Sequence, residues 1–352
     1  MRRRAFPGSG PEVEARYQRA GQWLLATMYR DDKAASWCKV NGVPIAKAAG
    51  ESIGSAGAFL VPAELSAAIL DLRDSYGAMR RRARIVPMSS DSASVRRHTG
   101  GGATVSFIGE NNAASADALT LDTISLTAKK VGALVQISSE LEEDASIDVV
   151  DYIANEIAFA FAVQEDACGF NGDGTSAYGR MRGITQLVLD GNHGKAKVTA
   201  ASGNNTYTLI NSTDIGNLVS AVRASAIPNA AWYCSQTCFS QTFIRLAGGT
   251  GYLPAQELDG AMTPYYLGFP VILTQKLPLA STSLSGQAML VFGDMYAGAV
   301  FGQRRGITLA RSADRYLDQD EIGILATERF HINVHDMGDN TNAGSLAALV
   351  AP

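Results

Sequence analysis

The chain has 352 residues, of which 46% are hydrophobic and 18% are charged. This composition is typical of a folded protein with one or two domains and excludes a disordered chain. The net charge of −4 excludes an overall basic field for nucleic acid, and no apolar run reaches the roughly 18 residues that a membrane helix needs. The four cysteines are too few for a disulfide framework, and we expect buried thiols in a reducing cytoplasm at Cys38, Cys168, Cys234 and Cys238.

The N-terminal region, residues 1–56, is predicted to be an arm that is separate from the main body. Val13, Tyr17 and Leu24 recur at helical spacing, which predicts one amphipathic helix over residues 12–29. The apolar face of this helix has no local partner. We therefore expect it to pack on the main body or on a neighbouring subunit, and we expect the arm to be retained.

A cluster of four arginines follows the helical pattern of residues 65–72, and consists of Arg80, Arg81, Arg82 and Arg84. Such a cluster can bind phosphate. A face that forms ion pairs with acidic residues of another subunit is at least as well supported, because the chain as a whole is acidic.

A stretch dominated by small and polar residues occupies residues 95–128. The pattern predicts one strand at residues 103–107, a turn at residues 109–112 and a second strand at residues 119–126, which together form an extended two-stranded arm. A compact domain has little use for a projection of this length. We therefore expect its apolar residues to pack on another chain.

A long helix, which we name the spine helix, is predicted to begin at Asp144 or Ser146 and to end at Gly169 and Gly172. Its roughly 22 residues would span about 33 Å. One apolar face is formed by Ile147, Val150, Ile157 and Phe161. A second apolar line follows Val149, Tyr152, Phe159 and Val163, which predicts that most of the circumference is covered.

The second half of the chain alternates helices and strands, which predicts an α+β fold. One helix begins near Asp214 with Ser212 or Thr213 as its N-cap, and another covers residues 239–246. The last regular element is a strand over residues 322–336, in which apolar and polar residues alternate. Short buried strands are predicted at residues 232–234, 271–273 and 288–292.

No catalytic, cofactor-binding or metal-binding site is predicted. His331 and His335 lie in the alternating strand, where a separation of about 13 Å prevents them from sharing one zinc ion. Histidines at the surface or at an interface are the default interpretation. The acidic group at residues 140–144 is explained in part by its position at a helix start, and the chain lacks a nucleophile elbow.

A series of short motifs connects these elements. In chain order they are Phe59-Leu60-Val61-Pro62, Phe107 with Glu110, Ile137-Ser138-Ser139-Glu140-Leu141, Glu165-Asp166, Gly172-Asp173-Gly174, Arg182-Gly183-Ile184, Gly268-Phe269-Pro270-Val271, Phe292-Gly293-Asp294 and a turn at Arg305-Gly306-Ile307. This ordered series resembles the major capsid proteins of tailed bacteriophages of the Hong Kong 97 type. The resemblance covers about residues 57–336.

The resemblance implies a fold with an N-terminal arm, an extended loop, a peripheral domain that carries the spine helix, and an axial domain. The implied divisions are the arm at 1–56, the first part of the peripheral domain at 57–94, the loop at 95–128, the peripheral domain with the spine helix at 129–208, the axial domain at 209–312, and a peripheral strand with a C-terminal tail at 313–352.

The implied function is a shell subunit, without enzymatic activity, that assembles in the host bacterial cytoplasm and becomes part of the virion. The implied partners are further copies in pentamers and hexamers, a portal protein, a possible cement protein, and packaged double-stranded DNA bound without sequence specificity. The alternatives are an encapsulin shell and, from a different class, a soluble enzyme or cellular binding protein. The projection at residues 95–128 favours a shell.

The expected contacts between subunits join the loop to the arginine cluster, Arg80 to Arg84, of a neighbour. The loop residues expected there are Phe107, Ile108, Glu110, Asp117 and Asp122. The founding member of the family cross-links its subunits through a loop lysine. Because this chain has no lysine between His98 and Ala128, we expect a shell without such cross-links.

Overall fold

The computed structural model describes residues 32–41, 77–100, 120–138, 147–248, 255–258, 261–279, 282–316 and 321–352. The predicted helix over 12–29 and the predicted start of the spine helix lie outside these ranges. The helices are α1 Asp32–Val40, α2 Ala78–Arg82, α3 Ile147–Asn171, α4 Ile184–Leu189, α5 Ser212–Ser220, α6 at 236–247 and α7 Met295–Gly298. None of the described helices combines the length and apolarity required to cross a bilayer.

Thirteen strands are described, and they confirm the predicted α+β class. Their bounds are β1 Arg84–Pro87, β2 Ser92–Gly100, β3 Thr120–Thr127, β4 Lys129–Ser138, β5 Lys197–Thr199, β6 Ala231–Cys234, β7 Ala255–Leu258, β8 Ala261–Tyr266, β9 Phe269–Leu273, β10 Ala288–Gly293, β11 Ala299–Tyr316, β12 Glu321–Val334 and β13 Leu346–Val350.

The strands form two sheets and a separate ribbon. The first sheet has four strands in the order β1-β11-β12-β4, and the second has seven in the order β5-β13-β10-β6-β9-β8-β7. Among the described strands, β2 and β3 pair only with each other, and we call this pair the ribbon. In the first sheet β1 is parallel to β11, whereas β11, β12 and β4 are successively antiparallel.

The main core joins the two sheets. It contains Phe301, Phe330 and Ile332 from the four-stranded sheet and Tyr233 from the seven-stranded sheet, together with Phe170 of the spine helix. The opposite face of the seven-stranded sheet carries a second core around Trp232, Phe243 and Phe292. Burial of these apolar side chains on both of its faces is the main force that holds the seven-stranded sheet in place.

The spine helix, α3, has 25 residues and buries one face. Ile157 and Phe161 are each only 2% exposed, which confirms the predicted apolar face at these two positions. Phe159, on the second predicted apolar line, is 40% exposed. The prediction that most of the circumference is covered is therefore wrong at Phe159. It holds at residues 165–170, which are all buried and make up more than one helical turn.

The end of the spine helix differs from the prediction. The helix continues through Gly169 and ends at Asn171, and neither Gly169 nor Gly172 has a positive φ. A Cβ on Gly169 would clash with the side chain of Met79, and a Cβ on Gly172 would lie 2.6 Å from two backbone carbonyl oxygens. These glycines allow close packing of the chain, and the left-handed position is Gly174 with φ 84°.

The guanidinium of Arg80 connects the spine helix to the four-stranded sheet. Its Nη1 lies 3.3 Å from Oε1 of Glu165 on α3 and 3.9 Å from Oε1 of Glu328 on β12, and all three side chains are buried. Nη2 donates to Gln303 on β11, and the guanidinium lies 4.8 Å from the ring centroid of Phe301. The prediction that Arg80 contacts a neighbouring subunit is wrong, because its charge is enclosed within its own subunit.

The side chain of Asp166 caps helix α2 from the spine helix. Its two carboxylate oxygens accept hydrogen bonds from the backbone N–H groups of Ala78 and Met79, at 3.1 and 2.8 Å. Burial raises the pKa of Asp166, although the two N–H donors act in the opposite direction. The neighbouring acids Glu165 and Asp166 therefore both hold α2, one through a side chain and one through the backbone.

Most elements predicted in the second half of the chain are confirmed, with two corrections. Helix α5 is capped by Asn211, which forms a reciprocal capping box with Asp214, instead of by Ser212 or Thr213. The strands at 231–234, 269–273 and 288–293 are present. The predicted turn at Arg305-Gly306-Ile307 lies inside β11, where the register with β12 is irregular.

One predicted domain bound falls inside a strand, and the predicted domain divisions stay predictions. The predicted end of the axial domain at residue 312 falls inside β11, which belongs to the four-stranded sheet. The C-terminal segment, for which no structure was predicted, contains β13. This strand is completely buried between β5 and β10 in the seven-stranded sheet.

We expect Ile157→Asp to lower the free energy of unfolding by more than about 3 kcal/mol, because it removes buried apolar contacts and introduces an unpaired buried charge. Glu156→Ala changes an exposed position one residue away and should alter stability by less than about 0.5 kcal/mol. Chemical denaturation followed by circular dichroism measures both values. Equal midpoints for the two variants would show that the buried face is assigned incorrectly.

We expect Arg80→Ala to destabilise the subunit by about 3–5 kcal/mol, because two buried carboxylates lose the same cation. Arg84→Ala is the matched control, since Arg84 is exposed and its loss should cost less than about 0.5 kcal/mol. The same denaturation assay compares them. We call Arg80 and its partners Glu165, Glu328, Gln303 and Phe301 the Arg80 cluster. A free energy of unfolding for Arg80→Ala within about 1 kcal/mol of the control would contradict its role.

Candidate assembly surfaces

The ribbon is the described part of the predicted extended loop. Its strands pair in antiparallel register from Ser92 opposite Thr127 to His98 opposite Leu121. It starts three residues before the predicted bound at residue 95. Four of the expected contact residues lie outside the described residues, and their role stays a prediction. They are Phe107, Ile108, Glu110 and Asp117.

The base of the ribbon packs on its own subunit. Ile124 and Leu126 of β3 are buried in a small cluster with Met88 and with Val300 of β11. The expectation that the apolar residues of this stretch need another chain is therefore wrong for Ile124 and Leu126. The reason is that the four-stranded sheet offers a second apolar face, opposite the face that packs on the spine helix.

Gly302 allows the ribbon to approach the sheet closely. A Cβ at this position would lie 2.8 Å from Sδ of Met88 and 3.0 Å from Cδ1 of Leu126. Gly302 pairs with His331 across β11 and β12, so Met88 and Leu126 occupy the position beside this histidine that a side chain at 302 would take. Any larger residue at 302 would push the apolar base of the ribbon away from the sheet.

Polar contacts hold the edges of the ribbon base to β12 and its C-terminal end. Asn333 donates from Nδ2 to the backbone carbonyl of Ser125 at 3.2 Å. Arg97 donates from Nη1 to the backbone carbonyl of His335. Just before the ribbon, Asp91 accepts from Arg329 at 2.9 Å. These bonds surround the apolar cluster of Met88, Ile124, Leu126 and Val300.

Asp122, an expected contact between subunits, already has a partner in the ribbon. Its Oδ2 lies 2.9 Å from Nη2 of Arg97, the residue directly opposite on β2. The backbone N–H of Thr123 and the guanidinium of Arg97 lower the pKa of Asp122, so the carboxylate is charged at neutral pH. The first role of Asp122 is therefore within the subunit, although half of its side chain remains exposed.

His331 and His335 are not surface histidines in this subunit. Both are partly buried, and Nδ1 of each ring has no hydrogen-bond partner among the described residues. Burial is the main cause that lowers the pKa of each to about 4, with Lys129 acting in the same direction on His331 and Arg97 on His335. Both rings are therefore neutral at pH 7.

The remaining arginines of the cluster are accessible. Arg81 and Arg84 are exposed and Arg82 is half-buried, in contrast to the buried Arg80. In addition, Arg81 donates from Nε to the backbone carbonyl of Gly77, which fixes the side chain on α2. The possible basic patch for a neighbour is therefore reduced to Arg81, Arg82 and Arg84.

The described residues contain no group of three or more histidine, cysteine or acidic side chains placed to hold a metal ion. All four cysteines are buried free thiols, as the sequence predicts.

The main feature of the described residues is the packing on the two faces of the four-stranded sheet. The base of the ribbon packs on one face, and the spine helix packs on the other.

Comparison with known proteins agrees with this architecture. The family described as "Phage capsid family" matches residues 57–337. The major capsid protein of Klebsiella oxytoca phage phiKO2 is 26% identical over 316 residues, which cover 85% of this chain and 69% of the relative.

Among solved structures, the capsid of a native GTA particle has a TM-score of 0.56 and 18% identity and covers 86% of this chain and 95% of its own. An encapsulin from Synechococcus elongatus has a TM-score of 0.52 and 11% identity, with 90% and 94% covered. At 18% and 11% identity, these two structures show a common fold and nothing further. The family match, in contrast, spans most of the chain. The chain therefore belongs to the phage capsid family and is a major capsid protein of the tailed-phage type with the Hong Kong 97 fold.

Proposed function

We propose that this protein builds the icosahedral head shell of a tailed phage from pentamers and hexamers, and that the shell encloses packaged double-stranded DNA. The observation that carries the proposal is the family match over residues 57–337, which includes the ribbon, the four-stranded sheet and every strand of the seven-stranded sheet except β13. We further propose that the role is structural and not catalytic, and that assembly takes place in the cytoplasm of the bacterial host.

The ribbon supports assembly from many copies. In the described residues its apolar contacts with the sheet involve Ile124 and Leu126, both close to the base. The expected contact residues Phe107, Ile108, Glu110 and Asp117 are farther along the loop, where they would reach a neighbouring copy. We propose that the acids of the loop meet the basic patch of Arg81, Arg82 and Arg84 on that neighbour.

Weak contacts are sufficient for such a shell. An exposed ion pair contributes only about 0–1 kcal/mol. In a closed symmetric assembly each subunit makes many such contacts at once, so that the whole is far more stable than any pair. We propose that a portal protein occupies one vertex and that a cement protein is an optional addition to the outside.

An encapsulin-type cellular compartment is the second candidate, because an encapsulin shares the fold. The two functions differ in what the shell contains. Particles isolated from the native source would hold double-stranded DNA if the chain is a phage capsid protein and a protein cargo if it is an encapsulin. Nuclease-protected DNA of defined length would decide for the phage shell.

We expect the purified protein to form rings or closed shells. We expect Arg84→Glu to raise the protein concentration that is required for assembly at least tenfold. The added Glu110→Arg substitution should restore assembly if these two residues meet across an interface. Analytical ultracentrifugation and negative-stain microscopy measure assembly. A parent protein that stays monomeric over a wide range of protein and salt concentrations would refute the shell function. Failure of the charge swap would refute only this contact.

We also expect mature particles to contain no covalent bonds between subunits, because residues 99–127 contain no lysine. A boiled sample on a denaturing gel should give one capsid band near the monomer mass of 37.2 kDa. A ladder of bands at multiples of this mass would contradict the expectation.

A further inference from the structure

The surface between the ribbon and β12 contains two partly buried histidines. Alternate residues of a strand point to the same face of a sheet, so Arg329, His331 and Asn333 of β12 form one row, and His335 is the first residue after the strand. Arg329 and Asn333 bind Asp91 and Ser125 of the ribbon segment, which identifies this row as the face beneath the ribbon base. His331 therefore lies between two residues that hold the ribbon.

The apolar contacts locate His331 in the same way. It pairs with Gly302, whose open Cβ position is filled by Met88 and Leu126 from the ribbon side. His335 directly follows β12, and its backbone carbonyl accepts the hydrogen bond from Arg97 of β2. Both histidines thus belong to the contact between ribbon and sheet.

The charges that face these histidines are mostly positive. Lys129 of β4 acts on His331. His335 is near Arg97 of the ribbon, Arg84 of β1 and Arg223, and the one acid acting on it is Asp336. Asp336 is itself paired with Arg223 at 2.8 Å. Arg97 is likewise paired, with Asp122 at 2.9 Å. A proton on either ring would therefore place a positive charge in a partly dehydrated site, beside Lys129 for His331 and beside Arg84 for His335.

We propose that the base of the ribbon is an acid-sensitive latch. The ribbon stays docked on the four-stranded sheet while His331 and His335 are neutral, and protonation of these two rings releases it. The latch is a property of the single subunit, so it goes beyond shell assembly and does not depend on it.

The direction of the pH dependence follows from the lowered pKa values of both rings, about 4 when docked against an ordinary value of 6.5. The docked state binds these protons more weakly than the released state does. Docking is therefore at full strength above pH 6.5 and weakens as the pH falls towards 4. At pH 5, each histidine would raise the ratio of released to docked ribbon up to about 30-fold.

Hydrogen exchange with mass spectrometry on the full-length protein tests the latch. Peptides from Ser92–Gly100 and Thr120–Thr127 are compared at pH 7.5 and pH 5, after correction for the intrinsic exchange rate. We expect the protection of these peptides to fall at least tenfold at pH 5, while peptides from Leu346–Val350 remain protected. In the double variant His331→Gln/His335→Gln, the ribbon should keep its protection at pH 5.

Two control variants separate the latch from general weakening. His193→Gln removes a histidine that is paired with Asp190 at 3.0 Å, away from the ribbon, and should leave the pH response unchanged. Asn333→Ala removes a hydrogen bond to the ribbon and should lower protection equally at both pH values. If the double variant does not fold, each single histidine variant should show a smaller response than the parent. An unchanged response in these variants, or a parent ribbon that stays protected at pH 5, would overturn the proposal.

Discussion

The buried guanidinium of Arg80 is the contact on which the rest of the subunit depends. It is held between Glu165 of the spine helix and Glu328 of β12, above the ring of Phe301. A buried cation between two carboxylates is tolerated only in one geometry, because displacement of any partner leaves an uncompensated charge. The Arg80 cluster therefore fixes the position of the spine helix along the sheet, in addition to the non-directional burial of apolar residues.

The four-stranded sheet acts as a central layer with two different faces. One face meets the spine helix through large aromatic residues and the Arg80 cluster, and the other meets the ribbon through a small cluster, a glycine and a rim of hydrogen bonds. The second contact is smaller and more polar than the first. Contacts with few buried apolar residues open locally at a lower free energy than a core, which is the basis of the proposed latch.

The sequence predicts those features that depend on local periodicity. The burial of Ile157 and Phe161 follows from helical spacing, and the alternation of β12 is visible in its residues. The packing partner of a side chain depends on residues that are distant in the sequence. The sequence therefore predicts contacts of Arg80 and Leu126 with another subunit, whereas both are buried within their own. β13 was missed because its five residues are apolar and buried on both sides, so that they show no alternation.

The position of β13 has a consequence for the order of events during synthesis. Of the strands that the structure describes, β13 at Leu346–Val350 is the one that pairs with β5 at Lys197–Thr199, and 146 residues separate the two along the chain. At about 5–20 residues per second, a ribosome needs roughly 7–30 seconds to supply the missing partner. Until then the seven-stranded sheet has a gap between β5 and β10. A nascent chain therefore cannot complete the seven-stranded sheet until Leu346–Val350 has left the ribosome.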